Sequence, residues 1–311
     1  MNNRLFLALL IVCTALMTAC KEAKVLPDQD PQDVLSLVFS IDPFQLDEDA
    51  SATRTSVNGT AFLWAAEDTV GIYPSTGSQV YFAMTAGEGA SSAEFDGGGW
   101  AFKRSSVYYS YYPFIGNIYL DRHHIPVSYL GQKQTGTTAT DHIGPYDFMY
   151  TDGASSESGL VSFQYHHLNC IIRPRLVGLP AGRYTKLAVT APTDVFPING
   201  YYDLMADTPA IEPTKWSNQL VIDLEDFTVL SGTDYYVYLM CAPVQVQDIE
   251  LTISILNEQK TEYQCKKAPS ADYYAGQIKG LKCDTFAAVP QSMGLIIDDW
   301  GDGGNIGGDA E

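Results

Sequence analysis

Apolar residues in this chain recur at every second position in short runs, and that periodicity limits the fold more than any other feature. In residues 34–41 one face carries Leu35, Leu37, Phe39 and Ile41, while Val and Ser alternate on the other. Ile249, Leu251, Ile253 and Ile255 alternate with Glu250, Thr252 and Ser254, and Leu220, Ile222 and Leu224 alternate with Val221 and Asp223. Successive side chains on a strand point to opposite faces, so a period of two describes a strand with one buried face. Residues 107–112 and 235–239 read as aromatic strands, each followed soon by a proline, Pro113 or Pro243. No stretch carries helical periodicity over a useful length.

Turn chemistry separates these runs at Asn58-Gly59, Asp96-Gly97, Asp152-Gly153 and Ser231-Gly232. Many short strands with turns between them predict an all-β fold of β-sandwich type. The 311 residues allow two domains, and a hydrophobic content of 46% is enough to fill their cores. The polar stretch 151–159 marks a boundary. The reading is two tandem β-sandwich domains, 34–156 and 157–286, followed by an extended C-terminal tail, 287–311.

The start of the chain addresses it out of the cytoplasm. After Arg4, residues 5–16 are almost wholly apolar. That run is shorter than the roughly 20 residues that span a bilayer and has the length of a secretion-signal core. It closes on Ala19-Cys20, which resembles the lipobox of bacterial lipoproteins. That likeness implies removal of a signal peptide, 1–19, and lipid on the Cys20 thiol. Acyl chains anchor through about 0.8 kcal/mol per buried methylene. Residues 20–33, polar with two prolines, read as a tether.

The formal net charge of −19 is wrong for nucleic acid, whose binding proteins gain affinity by neutralising phosphates. No nucleophile elbow, P-loop or dinucleotide fingerprint occurs. The chain therefore reads as a non-enzyme without catalytic residue, metal or cofactor. His123-His124 and His166-His167 are adjacent pairs, and neighbours on a strand face opposite ways, so one of each pair should pack and the other meet solvent. In the Asp-rich loop after Ile297, Trp300 occupies a position that a calcium loop fills with oxygen. Beyond Cys20 there remain Cys170 and Cys241 in apolar runs, Cys265 before Lys266-Lys267 in a stretch read as solvated, and Cys283; paired and free thiols are both open.

Several pieces, in order, carry a resemblance to a known family. Thr53-Arg54-Thr55 precedes a run with Trp64 and Asp68. Ser92-Ala93-Glu94-Phe95 follows, then an aromatic strand ending in Tyr112-Pro113. Ile125-Pro126, Gln132 and Gln134, Phe148-Met149-Tyr150, residues 161–168 and Asp299-Trp300-Gly301 complete the series. Together they resemble the fimbrillin (Mfa-like) family, the fimbrial subunits of Bacteroides-type bacteria. The resemblance implies two transthyretin-like domains, export as an outer-membrane lipoprotein, and assembly into fimbriae with other subunits. It also implies an arginine-specific protease that removes the first strand, whose groove then accepts a strand from another subunit.

The residues fit that scheme. A strand withdrawn from a sheet leaves unpaired backbone groups and an apolar slot. Leu35, Leu37, Phe39 and Ile41 give the first strand the needed face, and Met293, Leu295 and Ile297 repeat the alternation in the tail as the candidate donor strand. Arg54 is the only basic residue between Lys24 and Lys103 and follows the polar run 47–53, so it is the expected processing site. The alternative reading is a monomeric surface lipoprotein that uses exposed Tyr and Trp to bind glycans; a host glycan or protein could also be a target of the fimbria.

Overall fold

The computed structural model describes residues 36–46, 62–103, 106–117 and 119–290. Their regular structure is almost entirely strand, with one short 3-10 turn at Asp141–Tyr146. In chain order the first eleven are β1 (Ser36–Ile41), β2 (Gln45–Leu46), β3 (Thr69–Pro74), β4 (Val80–Ala86), β5 (Ser92–Asp96), β6 (Val107–Tyr112), β7 (Ile125–Ser128), β8 (Lys133–Thr135), β9 (Met149–Thr151), β10 (Ala154–Ser155) and β11 (Leu160–His167).

Seven of them close into a ring. Hydrogen bonding runs β6-β3-β4-β5-β1-β11-β9, and β9 pairs back onto β6. A closed sheet has no edge strand for another chain to pair with. The first unit is thus a barrel, where a sandwich was expected. Its interior is filled by the buried positions of each alternation, such as Val161, Phe163 and Tyr165 of β11. Three of the family-like residues, Trp64, Asp68 and Tyr112, meet here. Trp64 lies edge-on to Tyr112 at 5.6 Å, and the Tyr112 hydroxyl donates to Asp68 at 2.8 Å. Gly71 is needed here for space: a Cβ would stand 2.1 Å from Cε1 of the buried Tyr111 ring.

The remaining strands are β12 (Cys170–Leu176), β13 (Gly182–Thr190), β14 (Phe196–Tyr202), β15 (Glu212–Ser217), β16 (Gln219–Val229), β17 (Tyr235–Tyr236), β18 (Leu239–Cys241), β19 (Leu251–Asn257), β20 (Glu262–Lys267), β21 (Gln277–Cys283) and β22 (Ala287–Val289). One sheet runs β22-β20-β19-β13-β16-β8, and another β17-β12-β21-β2 with β18 also on β12. Both feed one core: Ile172 and Leu281 from one sheet, Leu187, Val189, Ile222 and Ile253 from the other. This half is a sandwich. The aromatic run at 235–239 is broken into β17 and the start of β18.

The two halves are interleaved. β7 pairs with β14, and β8 lies parallel to β16, so residues 125–135 leave the barrel and join the sheets of the second half. Gln132 and Gln134, both buried, bond to the backbone of residues 236–240 as a strand would; the Met240 N–H donates to Gln132 at 2.7 Å and Gln132 donates back to its carbonyl at 2.8 Å. β11, which begins at residue 160, is a barrel strand. A third core between the halves collects Phe44, Tyr73, Tyr111, Ile171, Tyr202 and Met240. Ile171 faces this core and Ile172 the sandwich core, so the start of β12, Cys170-Ile171-Ile172, is covered on both faces and is continuously apolar.

Candidate functional site

The candidate site is the groove held by the first strand. β1 lies inside the ring, between β5 and β11. Against β11 it is parallel and in register over six residues, from Ser36 opposite Leu160 to Ile41 opposite Tyr165. Against β5 it is antiparallel and pairs only at Phe39 with Ala93 and Ser40 with Ser92. Phe39 and Ile41 are buried, while Val38 is 39% exposed, so the alternation of the sequence is the inside and outside of the barrel. The Phe39 ring packs between Phe95 and Phe163, at 4.7 and 5.0 Å between centroids. Taking β1 away would bare those two rings with Ala93, Val161 and Tyr165, and would unpair the facing edges of β5 and β11.

The strand does not stop at the barrel. Gln45 donates its N–H to Gly276 at 2.7 Å, and β2 pairs parallel with β21 of the sandwich. Between β1 and β2 the chain is gripped side by side by two histidines. His166 contacts the Asp42 carboxyl at 2.6 Å, and Gln164 donates to the same carboxyl, also at 2.6 Å. His167 is buried, stacks on Phe44 at 3.7 Å, and points both ring nitrogens at acceptors. Nδ1 meets Asp147 at 2.9 Å, and Nε2 meets the Asp42 carbonyl at 2.8 Å. A ring that donates to both must carry a proton on each nitrogen. Burial works against that charge, but the charge of Asp147 and its hydrogen bond, helped by the Asp42 carbonyl, outweigh it and raise the His167 pKa above its ordinary value of 6.5. Asn169 completes the cluster by donating to Asp147 at 2.9 Å, and the N–H of Gly276 donates to the Asn169 carbonyl.

No family model matches the sequence, and no curated protein matches it. Solved structures do. The chain shares its fold with a Bacteroides protein proposed to act in cell adhesion. That protein, from Bacteroides uniformis ATCC 8492, aligns with 73% of this chain and 92% of its own at 12% identity and a TM-score of 0.50. A second proposed cell adhesion protein, from Bacteroides ovatus ATCC 8483, aligns with 82% of this chain and 96% of its own at 12% identity and a TM-score of 0.49. The C-terminally truncated tip fimbrial protein Mfa3 of Porphyromonas gingivalis aligns with 72% of this chain and 92% of its own at 10% identity and a TM-score of 0.38. At 12% identity the likeness to the Bacteroides uniformis protein is one of fold alone.

The sequence-predicted residues divide into two sets. Leu37, Phe39 and Ile41 sit in the groove as described. Leu35, Cys20, Arg54, Met293, Leu295, Ile297 and the Asp-rich loop lie outside the described residues. Ala287–Val289, at the start of the tail, pairs with β20 at the edge of the six-stranded sheet. The pair His166-His167 splits into one part-exposed and one buried ring. His123 and His124 do not split: they stand in a turn before β7, both exposed, paired with Asp203 and Asp121. Cys265, expected in a solvated stretch, is buried. Sequence reasoning missed β2, Phe44, Asp147 and the role of His167; the only hint was an aromatic residue, Phe44, directly after Pro43 in a polar stretch.

A second concavity lies where the barrel strands β9 and β11 meet the second half. It holds about 660 Å³ and is walled by Pro197, Pro209 and Pro243, with Tyr150 and a half-exposed Trp216 as aromatic faces and Asp194 and Gln245 as polar groups.

Proposed function

We propose that this chain is a structural and adhesive subunit of surface fimbriae, assembled by strand exchange. It is exported as a lipoprotein through Cys20 to the outer membrane. An arginine-specific protease cuts at Arg54, β1 leaves, and the tail of another subunit, with Met293, Leu295 and Ile297 facing inward, fills the groove. The protein does no chemistry of its own.

The observation that carries this reading is the place of β1. It is an inner strand of the ring, yet it comes first in the chain and precedes Arg54. After a cut there it would be held by non-covalent contacts alone. Its loss exposes backbone donors and acceptors on two strands together with an aromatic slot, and strand addition satisfies both needs at once. The eight residues 293–300 would span roughly 26 Å, longer than the roughly 20 Å of β1. The test uses two forms of the chain, Arg54→Ala and a truncation after Gln291, exposed to an arginine-specific protease. Each should stay folded and fail to form the ladder of polymers that the parent forms on gels. A ladder from Arg54→Ala equal to the parent's refutes the processing site, and a ladder from the truncated chain refutes the donor.

One observation favours a second reading, glycan binding. Trp216 and Tyr150 at the cavity offer apolar faces to a sugar ring, with Asp194 and Gln245 as hydroxyl partners. Retention of the monomer on a glycan array, abolished by Trp216→Ala, supports it; an array blank for the parent removes it.

A further inference from the structure

All four cysteines beyond Cys20 lie in the sandwich, and the fold gathers them into two neighbouring pairs. Cys170 of β12 and Cys241 of β18 are 71 residues apart in sequence and directly opposite each other across an antiparallel pair of strands. Both are fully buried, and their sulfurs are 3.2 Å apart. Opposite residues in such a ladder have Cα atoms about 4.5 or 5.5 Å apart, and a disulfide accommodates roughly 4.4–6.8 Å. Cys265 of β20 and Cys283 of β21 form the second pair: both are buried in the same sandwich core, on strands of facing sheets that lie in contact. The neighbouring Cys283, against the opposing effect of burial and with help from Thr285, brings Cys265 down to about 6, while Cys265 and burial push Cys283 up. β20 and β21 belong to different sheets, so a covalent link there would tie the two layers of the sandwich together. Four scattered residues that find one partner each, with none left over, form a pattern that packing of small apolar side chains does not require.

We propose that the exported chain carries two disulfides, Cys170–Cys241 and Cys265–Cys283, formed by exchange with an oxidised dithiol oxidoreductase of the export compartment. The thiolate of one cysteine attacks a sulfur of the oxidant's disulfide, breaks that bond and forms a mixed disulfide, and the oxidant's other sulfur leaves as a thiolate. The second cysteine loses its proton and attacks the mixed disulfide, which closes the bridge and releases the oxidant as a dithiol. Each bridge sends two electrons to the oxidant, and the two thiol protons end on its sulfurs or in water. In each pair one cysteine attacks the oxidant and its partner resolves the mixed disulfide. Cys170 and Cys241 are sealed from solvent in the folded chain, so their bridge closes while the sandwich is still assembling.

The inference rests on the export part of the proposed function, and the test separates the two. In the first arm the full chain is produced in a Gram-negative host, and its envelope fraction is denatured in N-ethylmaleimide without reductant. The second arm refolds the mature-length chain, with Cys20→Ser, in a mixture of oxidised and reduced glutathione. Peptide mapping should find Cys170 linked to Cys241 and Cys265 linked to Cys283 in both, with all four unlabelled. Correct links on refolding but free thiols in the envelope overturn oxidation in the cell and leave strand exchange untouched. Four labelled thiols in both arms, or links between other partners, overturn the pairing itself. A double change, Cys170→Ala with Cys241→Ala, should leave the Cys265–Cys283 link intact; its loss would mean that the two bridges are not independent, against the proposal.

Discussion

The barrel and the sandwich bury their cores by different means. The barrel core is built from rings, with Phe39, Trp64, Phe82, Phe95, Tyr108 and Phe163 among its members. The sandwich core is mostly aliphatic, with Ile172, Leu187, Val189, Ile222, Ile253 and Leu281 among them, and it holds every cysteine of the described residues. The barrel is also closed by the first strand of the chain, whereas the sandwich is built from strands that have chain on both sides. A few large rings around one terminal strand make a slot with deep, discrete holes that another strand can fill. Many small branched side chains spread over two sheets make a core that no single strand controls. Under the proposed function, exchange belongs to the barrel and permanence to the sandwich.

The sharpest way to break the comparison is Phe39→Ala. It deletes a fully buried ring from the strand that closes the barrel and should lower stability by about 3–5 kcal/mol. In the sandwich, Ile253→Val should cost only about 1 kcal/mol. Guanidinium unfolding followed by tryptophan emission measures both; equal losses would remove the distinction.

His167→Leu comes next. It strips the partner from a buried carboxyl, Asp147, and should cost about 3 kcal/mol. It also has a pH signature. His167 is raised, so its contribution is fully present below about 6.5 and is lost as pH climbs through the raised value. His142, lowered chiefly by burial and only partly restored by the Tyr238 carbonyl, acts the other way: stability is lost as pH falls below about 6.5. The parent should therefore show a maximum in denaturant midpoint against pH, and His167→Leu should lose the decline on its alkaline side. An unchanged profile would mean that His167 does not hold the segment after β1 through its charge.

Gly71→Ala should cost about 2 kcal/mol, because the new methyl meets the Tyr111 ring, which Gln79 and the N–H of Ile115 hold in place. Thermal unfolding would show it, and a neutral result would mean that the barrel wall yields more than its packing implies. The smallest effect belongs to Asp42→Asn. Its ion pair with His166 is more than a third exposed on the Asp side and screened by solvent, so the loss should stay below about 1 kcal/mol. A larger loss in a denaturant titration would make the outer grip on β1 as important as the buried one.

Much of this was legible from residues alone. The buried positions of β1 and β16 fall where alternation placed them, as do Leu251, Ile253 and Ile255 of β19, because a period of two reports which side of a strand is wet. Trp64, Asp68 and Tyr112 stood out as motif residues and proved to be core contacts. The polar stretch read as a boundary at 151–159 is followed by β11, which pairs with β1 and β9 as far as His167, because hydrogen bonding is blind to local polarity. The split His166-His167 pair was readable from strand geometry, but the exposed pair His123-His124 was not, since a turn does not alternate.

By itself, then, the sequence determined that the chain is built of strands, which face of each is apolar, and that six cysteines and a first strand with an inward face are present. Only the tertiary structure decided who pairs with whom: β1 with β11 more than a hundred residues later, β9 back onto β6 to close the ring, β7 and β8 into the second half, and the cysteines two by two. The reason is physical. Backbone hydrogen bonds are the same for every residue, so a strand's pattern states how it must face but not which neighbour it takes; that choice is made by the fit of side chains brought together from distant parts of the chain.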